Sequence, residues 1–337
     1  MVGRVLRSDA LDRDVSARRR GARRAAAAVM LAGLAGLTGL AGCRDLPASP
    51  DAPPADGDGF PYPPPRTDVA MPIGSPETLE LATWNIENFP AGAGTPGYVA
   101  DLITSLDLDV VVVEEIASEA AWTELLARLR DRDGVLSTHR YSATDYQKVG
   151  IIYRTEMITP GEAKLLFPTD PYAFPRPPLS VPLEIDDQVH APLAIEVIGV
   201  HLKAGFGDED GARRRAAVLA LDAHLRAQID GGGEDEVVIA GDYNEIVTNV
   251  NGLANLAPFL EAPDRYTLRT HASATGGEFS FVPTGRLLDH ITTTAGLAEE
   301  LAGARVVIPR LDTAYSGYLN HISDHLPVVL VAPLAPR

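Results

Sequence analysis

What most restricts the fold of this chain is a recurrence. Seven times between residues 79 and 331 the sequence returns to a short β-branched and aliphatic run, at 79–85, 110–114, 149–153, 194–201, 237–241, 290–294 and 328–331. Several are close to continuous, as in Val110-Val111-Val112-Val113. A strand with apolar side chains on both faces has to be covered on both faces. Stretches with helical spacing fall between the runs. Residues 96–106 fit one helix. Residues 119–130 place Trp122, Leu125, Leu126 and Leu129 three and four apart, and 212–229 place Val218, Leu221, His224 and Leu225 on one stripe. Strands alternating with helices define an α/β class. The span 78–337 reads as one domain, near the upper size for a single core. No internal repeat is present. Residues 160–192 are rich in proline and are expected to form a long surface excursion.

The first residues read as an address rather than as part of that core. Arg18-Arg19-Arg20-Gly21-Ala22-Arg23-Arg24 precedes an uncharged, mostly small apolar run that ends in Leu40-Ala41-Gly42-Cys43. A basic region, an apolar region and a small-residue cleavage site make an export signal. Leu-Ala-Gly-Cys resembles the lipobox of bacterial lipoproteins, which implies cleavage before Cys43 and acylation of its thiol. The alternative is a retained membrane helix, but a run dominated by Ala and Gly inserts weakly. The paired arginines are compatible with either general or twin-arginine export. Cys43 is the single cysteine, so the fold cannot rest on an internal disulfide. Residues 44–77, with Pro53-Pro54, Asp56-Gly57-Asp58-Gly59 and Pro63-Pro64-Pro65, lack apolar periodicity and read as an extended spacer. The expected organisation is a signal segment over 1–43, a tether over 44–77 and a catalytic domain over 78–337, placed outside the cytoplasm on a lipid anchor.

Charge narrows the chemistry. The chain holds 29 Lys+Arg against 46 Asp+Glu, a net of −17, and the positive excess is concentrated before Cys43. A body this acidic is a poor general glue for nucleic acid. It is a suitable carrier of cation sites, and a bound cation inverts the local field. The polar residues that matter gather at the ends of the apolar runs: Asn85-Ile86-Glu87, Glu114-Glu115, His201, Gly241-Asp242-Tyr243-Asn244, Asp289-His290 and Ser323-Asp324-His325. Strand ends are where α/β sheets place their sites. Carboxylate and amide oxygens suit Mg²⁺ or Mn²⁺, while two histidines and a spare aspartate can move protons. Taken singly, each group has a plainer reading. Gly-Asp-Tyr-Asn is turn chemistry, Ser-Asp-His a cap, Glu-Glu a solvated strand end and a lone histidine a satisfied core residue.

The order of all six resembles the endonuclease/exonuclease/phosphatase superfamily, over residues 79–330. TWNIENF is similar to the family's first strand with its Asn, VVVEEIAS to the strand bearing its metal Glu, and KVGIIYR to its central hairpin strand. FPRPPL is similar to an Arg-bearing segment, VIGVHLKAG to the strand of the catalytic His, VIAGDYNE to the Gly-Asp-Phe-Asn motif, and LLDHI and SDHLPV to the closing motifs. The resemblance implies two packed, mostly antiparallel β-sheets flanked by helices, a four-layer α/β sandwich of the deoxyribonuclease kind. It implies metal ligands at Asn85 and Glu115, with Glu87 and Asp324 contributing. Asp242 and Asn244 would orient and activate water, and His325 held by Asp289 would contact the scissile phosphate. His201 would be a second phosphate ligand or proton donor, and Tyr146 and Arg176 would bind substrate. The implied cofactor is Mg²⁺ or Mn²⁺, with Ca²⁺ as a possible addition, and the implied enzyme is a monomer.

Departures shape the substrate expectation. Ala240 precedes Gly241 and Ile246 stands two after Asn244, where inositol phosphatases of the superfamily carry Trp and Arg. The only tryptophans are Trp84 and Trp122, and no aromatic hairpin suited to lipid entry is present. An exported enzyme cannot reach the cytoplasmic DNA on which abasic-site repair acts. The leading expectation is an extracytoplasmic DNA nuclease or phosphodiesterase. The alternatives are an enzyme acting on small or lipid phosphoesters and a non-catalytic binding module on the same fold.

Overall fold

The computed structural model describes residues 60–140 and 146–337. The signal segment, Cys43 and the first part of the tether lie outside the described residues. Among the described residues no helix is long and apolar enough to cross a membrane.

Among the described residues thirteen strands form two sheets. The strands of the first are β1 (Thr78–Phe89), β2 (Val110–Ile116), β3 (Arg132–Leu136), β4 (Lys148–Arg154), β12 (Arg305–Val307) and β13 (Val328–Pro333), in the order β12-β13-β1-β2-β4-β3. The second holds β5 (Ile158–Pro160), β6 (Lys164–Leu165), β7 (Leu179–Ile185), β8 (Leu193–His201), β9 (Val237–Asp242), β10 (Tyr266–Leu268) and β11 (Asp289–Thr294), in the order β10-β11-β9-β8-β7-β5, with β6 also on β7. The pairs β1–β2 and β8–β9 are parallel, and every other ladder is antiparallel. All seven runs read from the sequence are strands.

The apolar runs have both faces covered because each sheet lies between two layers. Successive side chains of a strand point to opposite faces. Leu79, Leu81, Val110, Val112 and Ile151 of the first sheet meet Val181, Ile195, Val197, Val238 and Ile291 of the second. The alternate residues Ala82, Trp84, Val111 and Val113 meet Val99, Leu102 and Ile103 of α1 (Thr95–Leu106) and Trp122 and Leu125 of α2 (Glu119–Arg128). On the far side Ile198, Val200 and Ile239 meet Val218, Leu221 and Leu225 of α3 (Asp208–Asp230). Each fully buried Val, Leu or Ile stabilises the fold by about 1.5–3 kcal/mol. Gly199 marks where the two sheets come closest: a Cβ there would sit 2.8 Å from Val149 and 2.9 Å from Val112.

Two expectations need correction. Residues 160–192 are not one surface excursion, because β7 lies within them, pairs with β8 over seven residues and buries Val181 and Leu183. Pro182 is tolerated because it falls between the stretches paired with β6 and β5, and its carbonyl accepts from Gly161 N at 2.8 Å. The second part of the expected spacer also lies against the domain. Arg66 N donates to Asp101 at 2.8 Å, Ile73 N donates to Leu106 O at 3.0 Å, and Val69, Ala70 and Ile73 pack on the core. Arg128 and Arg130 lie over the rings of Tyr62 and Phe60, at 4.2 and 4.7 Å.

Candidate active site

The period of two that builds the inter-sheet core also builds the site. Continuing the inward-facing series past Leu81 and Thr83 reaches Asn85. On the second sheet it passes Val197 to His201, Val238 and Ala240 to Asp242, and Ile291 back to Asp289. His201 pairs in register with Asp242 across β8–β9, and Asp242 with Asp289 across β9–β11. Three polar groups therefore stand in one row at one end of the second sheet, facing Asn85 of the first. All four residues are buried.

Glu115 joins them by a break in the pattern. Strict alternation would send it to the helix-covered face with Val111 and Val113. The β2 ladder shifts register between Val113 and Ile116, and Glu115 takes a left-handed φ of 63°. Such a bulge re-aims a side chain, and here the carboxylate comes over the sheet end. Its Oε1 accepts from Asn85 Nδ2 at 3.3 Å and its Oε2 from Asn88 N at 2.9 Å. The same Asn85 amide donates to Asp242 Oδ2 at 3.1 Å. Glu87 and Asn88 are also left-handed, with φ of 38° and 48°, so strain concentrates at the site.

His325 is held at three points. Its Nδ1 is 2.7 Å from Asp289 Oδ2, its backbone N donates to Ser323 Oγ at 2.9 Å, and its carbonyl accepts from Tyr318 Oη at 2.5 Å and Trp84 Nε1 at 3.2 Å. Ser323 Oγ in turn donates to Asn85 O at 2.6 Å, tying the last motif to the first. Ser280 Oγ holds Asp289 Oδ2 at 2.5 Å. Burial alone would lower the pKa of His325, but the charge and hydrogen bond of Asp289, then Asp242 and Asp324, push it up to about 10. His325 is thus an imidazolium with Nε2 turned to Asp242 and Asp324, 3.9 Å from each. His201 is the opposite case. Burial, then Arg176 and His325, hold it well below the usual histidine range, and its Nε2 lies 3.8 Å from Glu115 and 3.7 Å from Asp242. Burial and the neighbouring Asp289 push Asp242 up to about 7, against the pull of His325.

Glu115 and Asp242 offer carboxylate oxygens of the kind a hard divalent cation takes, with the Asn85 amide beside them, its Nδ2 toward both carboxylates and its Oδ1 on Glu87 N. Among the described residues no lysine or arginine pairs with Glu115 or Asp242. Asp242, Asp289 and His325 also bring one ligand atom each within 4.8 Å of one another. That trio is better read as a proton-holding pair beside a carboxylate, because Asp289 Oδ2 already holds both His325 Nδ1 and Ser280 Oγ. Asn244 sits at φ 52°, with its N on Asp242 Oδ1 at 2.7 Å and its Nδ2 on Leu202 O at 3.2 Å, and so joins the two loops.

Of the residues expected from sequence, Asn85, Glu115, His201, Asp242, Asn244, Asp289, Asp324 and His325 come together. Glu87 lies at the half-buried rim, its backbone N on Asn85 Oδ1 at 3.0 Å. Arg176 reaches the site through a residue the sequence did not single out: its Nε donates to Gln147 Oε1 at 3.1 Å, and Gln147 donates to Asn88 Oδ1 at 2.7 Å. Tyr146 is engaged elsewhere, its ring under Arg140 at 5.0 Å and Lys148 at 5.6 Å. Ser280 and Tyr318 are the other contributors missed; Ser323 was named in the Ser323-Asp324-His325 motif but given no role of its own.

The comparisons with known proteins agree with this architecture. The sequence profile of the Endonuclease/Exonuclease/phosphatase family matches residues 82–325, and the chain belongs to that family. No curated protein sequence matches the chain. Among solved structures it is similar to an endonuclease/exonuclease/phosphatase from Bacteroides vulgatus, at 16% identity and TM-score 0.57, over 76% of this chain and 99% of that one. It is also similar to D. rerio TDP2 complexed with a single strand DNA product, at 15% identity and TM-score 0.54, over 76% and 98%. The human Nocturnin catalytic domain with bound sulfate anion gives 15% and 0.54, over 77% and 94%. At these identities the likeness concerns the fold.

Proposed function

We propose that the domain is a divalent-cation-dependent phosphodiester hydrolase acting on DNA outside the cytoplasm, tethered by a lipid on Cys43. The observation that carries the chemistry is the pairing of a fixed imidazolium with an oxygen-donor set. His325, charged and oriented by Asp289, offers Nε2–H to a phosphoryl oxygen across a gap from Glu115, Asn85 and Asp242. A divalent cation bound by Asn85 and Glu115, with Asp324 and Glu87 near, would neutralise charge on the phosphoryl and leaving oxygens. Asp242, fixed by Asn85 and Asn244, is placed to take a proton from an attacking water. Neutral His201 can donate a hydrogen bond to an equatorial oxygen without adding charge. Asp289 accepts from Nδ1–H and stabilises the imidazolium, whose second proton, on Nε2, faces the substrate, as the carboxylate of a triad stabilises its imidazolium.

Support for nucleic acid as substrate comes from the family and from the single strand DNA product in the related TDP2 structure. Support for the location comes from the arginine-rich, apolar, Leu-Ala-Gly-Cys order of residues 18–43. The test is a substrate panel on residues 44–337: plasmid, single-stranded DNA, RNA, sphingomyelin and a chromogenic phosphodiester, each with Mg²⁺, Mn²⁺ and Ca²⁺. Cleavage of DNA with a divalent cation is expected. Turnover of only sphingomyelin would move the substrate to lipid phosphoesters, and no turnover of any would leave a binding module. For the anchor, Cys43→Ser is expected to block normal maturation. A variant that matures and fractionates like wild type overturns the lipoprotein reading.

A further inference from the structure

Phe206 is 61% exposed although the loop that carries it is fixed along its length. Leu202 N donates to Asp242 O at 2.9 Å, and Leu202 O accepts from Asn244 Nδ2 at 3.2 Å. Buried Arg214 of α3 donates from Nη1 to the carbonyls of Lys203 at 2.9 Å and Gly205 at 2.7 Å, while its Nε pairs with Glu245 at 2.8 Å. The Lys203 ammonium lies 2.9 Å from Asp210, whose Oδ2 also accepts from Gly207 N at 3.2 Å. Gly205 has φ +115°, and a Cβ there would come within 2.2 Å of Asp210, so this path admits only glycine. A loose loop would let an aromatic ring fold inward. This one holds the ring in water, against the hydrophobic preference.

The ring has a partner. The guanidinium of Arg286 lies 5.9 Å from its centroid. Arg286 faces Phe281 across a short hairpin, and the Phe281 ring lies 4.8 Å from the imidazole of His325. Two short routes, through Leu202 to Asp242 and through Phe281 to His325, thus connect the pair to the reacting groups. On a chain of net charge −17 the rim presents a planar apolar face with a cation against it. Proteins that bind single-stranded nucleic acid offer this combination to a base, which stacks on the ring while arginine adds a cation–π contribution.

We propose that Phe206, backed by Arg286, is a stacking platform for an unpaired nucleobase next to the scissile phosphodiester, an assignment that rests on the hydrolase reading above. The platform is tolerant of sequence, since every base has a π-face, and it favours single strands over duplex, where the faces are covered. Phe206 is therefore a specificity residue rather than a catalytic one.

The test uses two oligomers of equal length and backbone charge, an oligothymidylate and its base-free tetrahydrofuran analogue. Wild type is expected to show a KM for the thymidylate lower by roughly 5- to 150-fold, the size of one base–aromatic stack. In Phe206→Ala that ratio collapses towards one with kcat on the thymidylate little changed; Phe206→Trp restores it, and Arg286→Gln reduces it. A wild type that treats the oligomers alike, or a Phe206→Ala that keeps the ratio, overturns the platform. If wild type cleaves neither, the hydrolase reading has failed, and fluorescence anisotropy of the same labelled oligomers decides the platform separately. Tighter binding of thymidylate that Phe206→Ala abolishes supports it, and equal binding overturns it.

Discussion

The two ends of β2 both carry clustered charge, and they handle it in opposite ways. At its start Asp109, Asp107 and Asp131 converge on Arg154, whose guanidinium reaches them at 2.7, 2.5 and 3.2 Å, and Arg132 adds a 2.6 Å contact to Asp131. At its end, among the described residues, no lysine or arginine pairs with Glu115 or Asp242, which accept from the Asn85 amide and from the backbone of Asn88 and Asn244 and lie near two imidazoles, one of them neutral. The first cluster has its cations covalently supplied. The second has His325 beside Asp242 but no such network of guanidinium groups, and under the proposed function a cation from solution would complete its balance. Removing one partner from a closed ion network destabilises a fold, whereas an open cluster is a candidate place for chemistry.

The largest expected effect falls on the open end. Excess chelator is expected to abolish hydrolysis, and Glu115→Gln to lower kcat/KM by at least ~10²–10³-fold, the scale of one lost electrostatic contact to the transition state, with an unchanged melting curve. Full turnover in chelator would erase the contrast between the ends. Next comes His325→Ala, expected to slow hydrolysis by about 10²–10⁴-fold. Asp289→Asn should lower kcat and shift the pH profile of the step that uses His325. Because each residue acts through the other, the losses are expected to be far from additive in a double-mutant cycle; additive losses would make the pair structural.

The closed end should respond in stability and not in rate. Arg154→Met leaves Asp109 without its cation, and Asp107 and Asp131 with Arg132 alone. Allowing for the partial exposure of Arg154 and two of its partners, we expect a loss of about 2–3 kcal/mol, read as a shifted denaturant midpoint, with kcat per folded molecule unchanged. A fall in kcat would mean that the two ends communicate along β2. The smallest effect is one of pH. Burial pushes the neighbouring Glu80 up from 4.5 to about 8, against a hydrogen bond from Thr78 and helped by Asp109. The folded state holds this proton more tightly than the unfolded chain, so the contribution of Glu80 to stability is complete below about pH 4.5. It is lost progressively as pH rises through 8. Glu80→Gln should flatten that slope, and an identical pH–stability curve would show that Glu80 is charged in the fold.

The sequence disclosed most of the site because its residues sit at strand ends, where an apolar run stops on a polar group. Asn85, His201, Asp242 and Asp289 follow from alternation alone once the runs are taken as strands. Glu115 does not, since alternation would place it on the other face; the left-handed turn that brings it round leaves no mark in the residue types. β7 was hidden by Pro182, whose cost vanishes only because its partners on that edge leave a gap there. Gln147, Ser280 and Tyr318 were illegible for another reason. They act through contacts with residues outside their own stretch of chain, Gln147 with Asn88 and Arg176, Ser280 with Asp289, and Tyr318 with His325 and Trp84, and no adjacent motif marks them.

The bond from Ser323 Oγ to Asn85 O spans 238 residues, and β13, which follows it, lies between β12 and β1 in the first sheet. A ribosome making this protein therefore builds Asn85 and Glu115 early, Asp242 and Asp289 later, and His325 near the end. Any product cut short before Ser323 lacks both His325 and a central strand of the sheet that carries Asn85. Partial synthesis leaves β1 without its antiparallel partner along that edge.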